Sequence, residues 1–241
     1  MTNAIPRALL VSLRDPHDPM AHHERRCFAD RSRLPESAVE VHSMVDGRPD
    51  RATLSRYDVV FFGGSGAYSV LDDVPWIRDG LATLCDVVAL RIPSWASCFG
   101  FQGLSKALGG EVIRDDARQE LGAYELALTD AGRADPVIGV LPPVFWGQEG
   151  HHDHVIGLPP GVTLLAVGQG IHNQAFRVDG TPVYASQFHP ELTIETTVDR
   201  FVHYAALYSE PGTTDAVVAK LRGGYDTPEM AEVLARLVWA R

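Results

Sequence analysis

One cysteine has surroundings that favour nucleophilic chemistry. Cys98 lies in the segment 93–102, after a short apolar run at 87–90 and before a predicted helix over 103–108. We interpret the run as a buried strand, so the cysteine occupies a sharp turn between strand and helix. Unpaired N–H groups and the positive dipole end at a helix start can lower a thiol pKa. The pattern fits either a reactive thiolate or, like most free cysteines, a small buried apolar side chain.

A histidine and a glutamate further along the chain could activate that cysteine. His189 and Glu191 flank Pro190, directly after a strand-like run at 182–185. A cysteine nucleophile needs a base within hydrogen-bond reach, and the base needs a third group that fixes its tautomer. Proline forces an extended backbone before it and so holds the two side chains in a set relation. Taken alone, the tripeptide is also typical of a surface turn.

The two stretches together resemble the catalytic motifs of the class I glutamine amidotransferase domain. They read Cys-Phe-Gly-Phe-Gln at 98–102 and Gln-Phe-His-Pro-Glu at 187–191. Further segments of similar character follow in the same order, at 63–66, 108–112, 158–161 and 173–176, and the resemblance extends over residues 8–208. Two separated catalytic motifs in order make it specific. Ala96 replaces a usual glycine and Ser65 a usual proline, which affects the geometry of the site rather than its reacting groups.

The resemblance implies a catalytic triad and an oxyanion hole. Cys98 is the implied nucleophile, His189 the base, and Glu191 the group that orients the imidazole. The backbone N–H groups of Gly64 and Phe99 are implied to face each other and stabilise the tetrahedral oxyanion. Removing one such donor typically costs about 2.7–4 kcal/mol of barrier.

Three further residues are implied to bind substrate. Gln102 matches a family position that holds the α-amino and α-carboxylate end of glutamine, although the sequence also permits a glutamine on a helix surface. Gly122 and Tyr124 lie in a predicted strand over 119–128, which borders the glutamine pocket in related domains. Tyr124 also fits a half-buried strand aromatic.

The implied reaction is hydrolysis of a γ-glutamyl amide through a thioester, releasing ammonia and glutamate without a metal or organic cofactor. The leading hypothesis is a free-standing glutaminase-type chain, similar to the glutaminase of two-subunit GMP synthases, that gives ammonia to a separate synthetase chain. The alternative is a stand-alone hydrolase of γ-glutamyl peptides or amides. The third hypothesis is a non-catalytic regulatory subunit, since Ser65 could misalign the oxyanion loop.

Clusters of histidine do not predict a metal site. His22 and His23 are neighbours in a charged helix predicted over 17–31, where adjacent side chains diverge, and we expect this segment, with Glu24, to present a solvated face. The segment 151–154, His-His-Asp-His, lacks a supporting cysteine or second cluster. It looks like the family's His-Gly-Asp turn, with His152 in place of glycine. We therefore expect no metal ligands.

Composition limits the classes of partner. The chain has 241 residues, 45% of them apolar, and a formal net charge of −10, which argues against nucleic acid and anionic membranes. Its three cysteines are odd in number and irregular in spacing, which fits a reduced, cytoplasmic setting. The first seven residues have no apolar signal core, and no stretch is long enough to span a bilayer.

Periodicity predicts an α/β fold. We expect an open, mostly parallel, flavodoxin-like three-layer sheet flanked by helices, with a small β-hairpin region at 173–184 and a C-terminal helical extension. Predicted strands cover 8–13, 39–42, 57–62 and 162–167, and predicted helices cover 74–86 and 194–208. The domain is expected to span 1–208, with 209–241 as an extension packed on it. Thr227 is the expected N-cap of its last helix.

Overall fold

This computed structural model describes residues 4–15, 17–209 and 212–239. Its strands are β1 (Ala8–Ser12), β2 (Val39–Ser43), β3 (Val59–Phe62), β4 (Ser94–Ser97), β5 (Glu111–Arg114), β6 (Glu120–Leu128), β7 (Val144–His151), β8 (Asp153–Gly157), β9 (Val162–Gly168), β10 (Asn173–Val178) and β11 (Val183–Ser186). Its helices are α1 (Met20–Ser32), α2 (Arg51–Leu54), α3 (Pro75–Leu90), α4 (Phe99–Ala107), α5 (Asp130–Ala134), α6 (Ile194–His203), α7 (Ala205–Tyr208), α8 (Thr214–Arg222) and α9 (Met230–Trp239).

In the described part of the chain, nine strands form one sheet in the order β2-β1-β3-β4-β11-β10-β9-β6-β7. The strands from β2 to β11 in that order pair in parallel, and those from β11 to β7 pair antiparallel. Strands β5 and β8 form a separate antiparallel pair. The predicted mostly parallel α/β sheet is confirmed, with the predicted hairpin as β10 and β11. The antiparallel part is larger than that hairpin, because β6, β7 and β9 continue it.

Helices cover both faces of the parallel strands. In β1, Ala8 and Leu10 join the core beneath α1 and α9, whereas Leu9 and Val11 join the core beneath α3 and α4. A strand buried on both faces must be apolar at every position, which explains why the sequence of β1 does not alternate. The three-layer arrangement follows from this double burial.

The apolar run at 87–90 is the end of α3, so its assignment to a strand was wrong. Helix α3 continues to Leu90 and ends at Arg91, whose φ of 55° is left-handed. The strand before the cysteine is β4, Ser-Trp-Ala-Ser, and all four of its residues are buried. A short apolar run cannot be assigned to helix or strand by periodicity alone, and the serines hid the true strand.

The predicted solvated face of the first helix is also wrong in part. Helix α1 buries His23 and Glu24, with Glu24 fully buried. The Glu24 carboxylate accepts hydrogen bonds from the Arg14 guanidinium at 2.9 Å and from the N–H of Gly64 at 3.0 Å. Such charged and polar partners offset the cost of removing a carboxylate from water. Partners distant in sequence therefore determine the burial of Glu24.

The C-terminal helices add to the main core. Helix α9 contributes an apolar stripe, including Val233 and Leu234, to the core that also contains Phe28 of α1. The hydroxyl of Thr227 accepts the N–H of Trp146 in β7 at 2.7 Å, which fastens the segment before α9 to the sheet. The core is continuous across residue 208, and the boundary between domain and extension stays a prediction.

The helices of residues 4–15, 17–209 and 212–239 are all too short or too polar to cross a membrane.

Candidate active site

The order of the strands brings three separated segments to one edge of the sheet. Strand β4 lies between β3 and β11 and is parallel to both, so their carboxyl ends are adjacent. The glycine-rich segment 63–66 follows β3, Cys98 follows β4, and His189 comes shortly after β11. Ligand sites in open α/β sheets lie outside the carboxyl ends of parallel strands. This edge is therefore the candidate active site.

Cys98 occupies the strained turn that the sequence predicts. Its φ is 51° and ψ is −103°, a conformation that non-glycine residues rarely adopt. The turn is held on both sides, since the N–H of Cys98 donates to the Ser186 carbonyl at 2.8 Å and its carbonyl accepts the N–H of Gln102 at 3.0 Å. Strain of this kind occurs mainly where the surrounding structure enforces it, and it is common at functional sites.

The His189 imidazole is oriented by a carboxylate that has further partners. Its Nδ1 lies 2.6 Å from Glu191 Oε1, and the Ser97 hydroxyl donates to Glu191 Oε2 at 2.9 Å. Arg200 Nη1 lies 3.6 Å from Glu191 Oε1. Burial opposes the charged form, but the attraction of His189, its hydrogen bond and Arg200 lower the pKa of Glu191 to about 2. Burial lowers the pKa of His189, which favours the neutral imidazole that a base requires.

The Cys98 thiol is not a thiolate in this structure. Burial, followed by the charge of Glu149, raises its pKa to about 12, although a hydrogen bond from the N–H of Phe99 acts the other way. The expected effect of the helix start is therefore present but outweighed. The sulfur lies 3.8 Å from the Gly150 carbonyl oxygen. A neutral thiol requires a base that removes its proton during attack.

The predicted oxyanion pair is not assembled in this structure. The N–H of Phe99 is at the sulfur, but the N–H of Gly64 donates to Glu24, which also binds Arg14. This departs from the expectation that the two N–H groups face each other. Sequence reasoning missed the competing acceptor because Glu24 is part of a helix of mostly charged residues.

The glycines of segment 63–66 make room for side chains. A Cβ on Gly63 would lie 2.3 Å from the Glu24 carboxylate carbon, and a Cβ on Gly66 would lie 2.3 Å from the Tyr204 ring. Both distances are too short for any larger residue without movement of its neighbour. The glycines therefore allow Glu24 and Tyr204 to approach the loop.

Cys98 lies at the junction of two cavities of unequal size. The smaller measures about 40 Å³ and the larger about 300 Å³. The residues that line both are Ser65, Gly66, Cys98 and Gly150. Of the described residues, His189 and Glu149 line only the smaller cavity, whereas Phe99 and Gln102 line only the larger one. The candidate nucleophile and base thus share the smaller cavity.

A family model for class-I glutamine amidotransferases matches residues 33–204. The chain belongs to this family. It is 33% identical to the first subunit of a glutamine-hydrolysing GMP synthase from Sulfolobus acidocaldarius over 147 residues, 60% of this chain and 73% of that protein. It is 30% identical to a glutamine amidotransferase-like protein of Penicillium rubens over 178 residues, 71% of each chain. A glutamine amido transferase structure from Methylobacillus flagellatus, 22% identical, shares the fold with a TM-score of 0.71 over 98% of this chain and 95% of that one.

The three residues that the family resemblance assigned to substrate binding are separated. Gln102 lines the larger cavity, and its side-chain amide donates to the Asp153 carbonyl at 2.7 Å and to Gln187 Oε1 at 3.2 Å. Among the described residues around the two Cys98 cavities, Gly122 and Tyr124 do not appear. Tyr124 instead lines a different cavity beside Trp146. The strand was therefore predicted correctly, but these two positions of it do not reach Cys98.

Neighbours of the predicted positions in this amidotransferase do reach the smaller cavity. Leu121 of β6 and Glu149 of β7 line it, and Glu149 is paired with Gly122 across the two strands. Glu149 is 1% exposed, and burial raises the pKa of its carboxyl to about 7. No local signal marks it, because the residues around it in sequence are glycines and polar residues typical of a loop.

Glu149 belongs to a buried cluster with His151 and Glu120. Their candidate ligand atoms lie within 4.8 Å of one another, with His151 Nε2 3.2 Å from Glu120 and 3.3 Å from Glu149. Burial opposes protonation of His151, but the hydrogen bonds to both carboxylates raise its pKa to about 9. A protonated imidazole between two carboxylates accounts for this arrangement.

Proposed function

We propose that this chain hydrolyses the γ-carboxamide of glutamine through a Cys98 thioester, as the glutaminase part of an amidotransferase. The observation that carries the proposal is the convergence of Cys98 and His189 on one cavity at the carboxyl ends of β4 and β11. The 2.6 Å contact of His189 with Glu191 supports it, because a base oriented through Nδ1 leaves Nε2 for the thiol.

The chemistry follows from these groups. Sγ of Cys98 forms a bond to the amide carbon while its proton passes to Nε2 of His189. The carbonyl electrons move to oxygen, where the N–H of Phe99 and the N–H of Gly64 are the candidate donors. His189 then returns the proton to nitrogen, the C–N bond breaks, and ammonia leaves a thioester. Water attacks the thioester with His189 as base, which releases glutamate and restores the thiol.

The resting site needs one rearrangement before both donors are available. The N–H of Gly64 must exchange Glu24 for the oxyanion, and rotation of the peptide bonds flanking Ser65 would achieve this. Such a requirement favours a site that becomes fully active on binding substrate or a partner. The Sulfolobus relative is named as one subunit of its GMP synthase, which supports a separate synthetase chain in the role of that partner.

The direct test is a glutaminase assay of the purified chain, with ammonia and glutamate both measured. We expect Cys98→Ala to lower kcat/KM by about 10⁴-fold or more, and His189→Ala by nearly as much, because such groups act as a unit. Cys85→Ala is the matched control, since Cys85 lies in α3 and lines neither cavity in the part of the chain described. Activity retained by Cys98→Ala would refute the proposal.

A further inference from the structure

The position of His189 decides how a substrate lies across the two cavities. A general acid must come within about 2.6–3.2 Å of the nitrogen that it protonates. Nδ1 is engaged by Glu191, and the ring lines the smaller cavity rather than the larger one. The departing nitrogen therefore points into the smaller cavity. The rest of the acyl group extends into the larger cavity, where Phe99 and Gln102 lie.

The smaller cavity restricts what can depart. A water molecule needs about 10–15 Å³ of cavity volume, so about 40 Å³ accommodates roughly three water-sized groups. An ammonia-sized nitrogen and one water fit this volume. An amino acid, or an amine with an alkyl chain, does not fit unless the lining moves.

Glu149 provides acceptors in this cavity that have no partner. Both of its carboxylate oxygens are buried and lack a hydrogen bond to any described residue. Their one close charged neighbour is His151, at 3.3 Å and in an unfavourable geometry for a hydrogen bond. Leaving a buried acceptor unpaired costs about 1–3 kcal/mol. A ligand that donates an N–H to Glu149 would recover that cost.

The other charged groups of the cavity are already engaged. Arg14 faces Glu24 at 2.9 Å, and Arg200 lies 3.6 Å from Glu191. Glu149 is thus the acidic group of the lining that is available to a donor. An unsubstituted carboxamide carries two N–H donors on the departing nitrogen, whereas a substituted amide carries one donor and a bulky group.

We propose that the smaller cavity is a leaving-group subsite for an unsubstituted carboxamide, in which Glu149 accepts an N–H of the departing nitrogen. This rests on the proposed function and narrows its substrate class, since it excludes γ-glutamyl peptides and alkylamides. Glu149 exchanges no proton in the reaction. Its contribution is to orient the nitrogen toward His189 and to hold the ammonia as the C–N bond breaks.

The test compares glutamine with γ-glutamyl ethylamide and γ-glutamylglycine, with glutamate release as the readout. We expect the wild-type chain to prefer glutamine by about 100-fold or more in kcat/KM. Glu149→Leu should lower kcat/KM for glutamine by about 10–100-fold, since a hydrogen-bond acceptor is lost. Glu149→Gln, which keeps one acceptor oxygen, should restore part of that loss.

Two further variants separate the cavity from its surroundings. Glu120→Gln is the matched control, because Glu120 also contacts His151 but lines neither Cys98 cavity within the described ranges. It should keep the preference for glutamine. Leu121→Ala enlarges the smaller cavity and should raise ethylamide hydrolysis relative to glutamine. Circular dichroism verifies that each variant folds, and Leu121→Ala tests the cavity even if Glu149→Leu does not fold.

The outcomes distinguish this proposal from the one on which it rests. Hydrolysis of ethylamide and glutamine at equal rates by the wild type overturns the subsite but leaves the Cys98 chemistry in place. Equal losses in Glu149→Gln and Glu120→Gln place the effect at His151 and overturn the role of Glu149. Absence of any Cys98-dependent hydrolysis overturns the proposed function and the subsite together.

Discussion

Two carboxylates near Cys98 are buried equally but have opposite environments. Glu191 and Glu149 are each 1% exposed. Glu191 has His189, Ser97 and Arg200 as partners, and its pKa falls to about 2. Glu149 has His151 alone at ion-pair distance among the described residues, and its pKa rises to about 7. Burial gives the same desolvation in both places, so the partners decide which carboxylate is held ionised and which is left to meet a ligand.

The largest expected difference between the two is in stability. Glu191→Ala leaves Arg200 and the imidazole facing an empty site, and breaking a buried ion pair in this way costs about 3–5 kcal/mol. Glu149→Ala removes an unpaired acceptor and should cost much less. Urea unfolding at pH 7 measures both free energies of unfolding. Equal losses would mean that the hydrogen bonds and ion pairs around Glu191 do not distinguish it from Glu149.

The comparison also explains which parts of the site the sequence predicts. Cys98, His189 and Glu191 are predicted because each lies in a short motif whose spacing reflects its chemistry. The role of Glu149 depends on the pairing of β6 with β7, which aligns it with Gly122. No pattern of neighbouring residues contains that information.

The fold divides in a similar way. The strand β1 and the hairpin of β10 and β11 are predicted because their apolar runs and their turn are local signals. The burial of Glu24 is not predicted, since its compensation comes from Arg14 and from the loop after β3. The strand β4 is missed because its serines are buried by both neighbouring strands.

The two carboxylates should give opposite pH dependences. Glu191 has a folded pKa of about 2 against an ordinary value of 4.5, so its stabilisation is present above pH 4.5 and lost as pH falls toward 2. Glu149 has a folded pKa of about 7 against 4.5, so the folded state binds more protons and loses stability as pH rises from 4.5 to 7. His151, with a folded pKa of about 9 against 6.5, acts in the same direction between those values.

Thermal unfolding of wild type and Glu149→Gln from pH 4.5 to 8 measures this dependence. The wild type should lose stability relative to the variant as pH rises, by a few degrees in Tm if about 1 kcal/mol is involved. Parallel curves for the two proteins would show that Glu149 is ionised in the folded state as readily as in the unfolded one.

The smallest effect is expected at Tyr124, the substrate-binding position predicted from sequence. Its hydroxyl accepts the N–H of Leu121 at 3.4 Å, and its ring lines the cavity beside Trp146. Tyr124→Phe should leave kcat/KM for glutamine within about twofold, as for substitutions away from a site. A tenfold rise in KM would instead return Tyr124 to the glutamine pocket.

Labelling with a chloromethyl ketone analogue of glutamine, followed by peptide mass spectrometry, tests the central claim most directly. Burial raises the pKa of all three thiols, to about 11 for Cys27 and about 12 for Cys98, so general thiol reactivity cannot select one of them. We predict a single adduct on Cys98 that excess glutamine prevents and that His189→Ala slows. Modification of Cys27 or Cys85 with Cys98 untouched would contradict the assignment of Cys98 as the nucleophile.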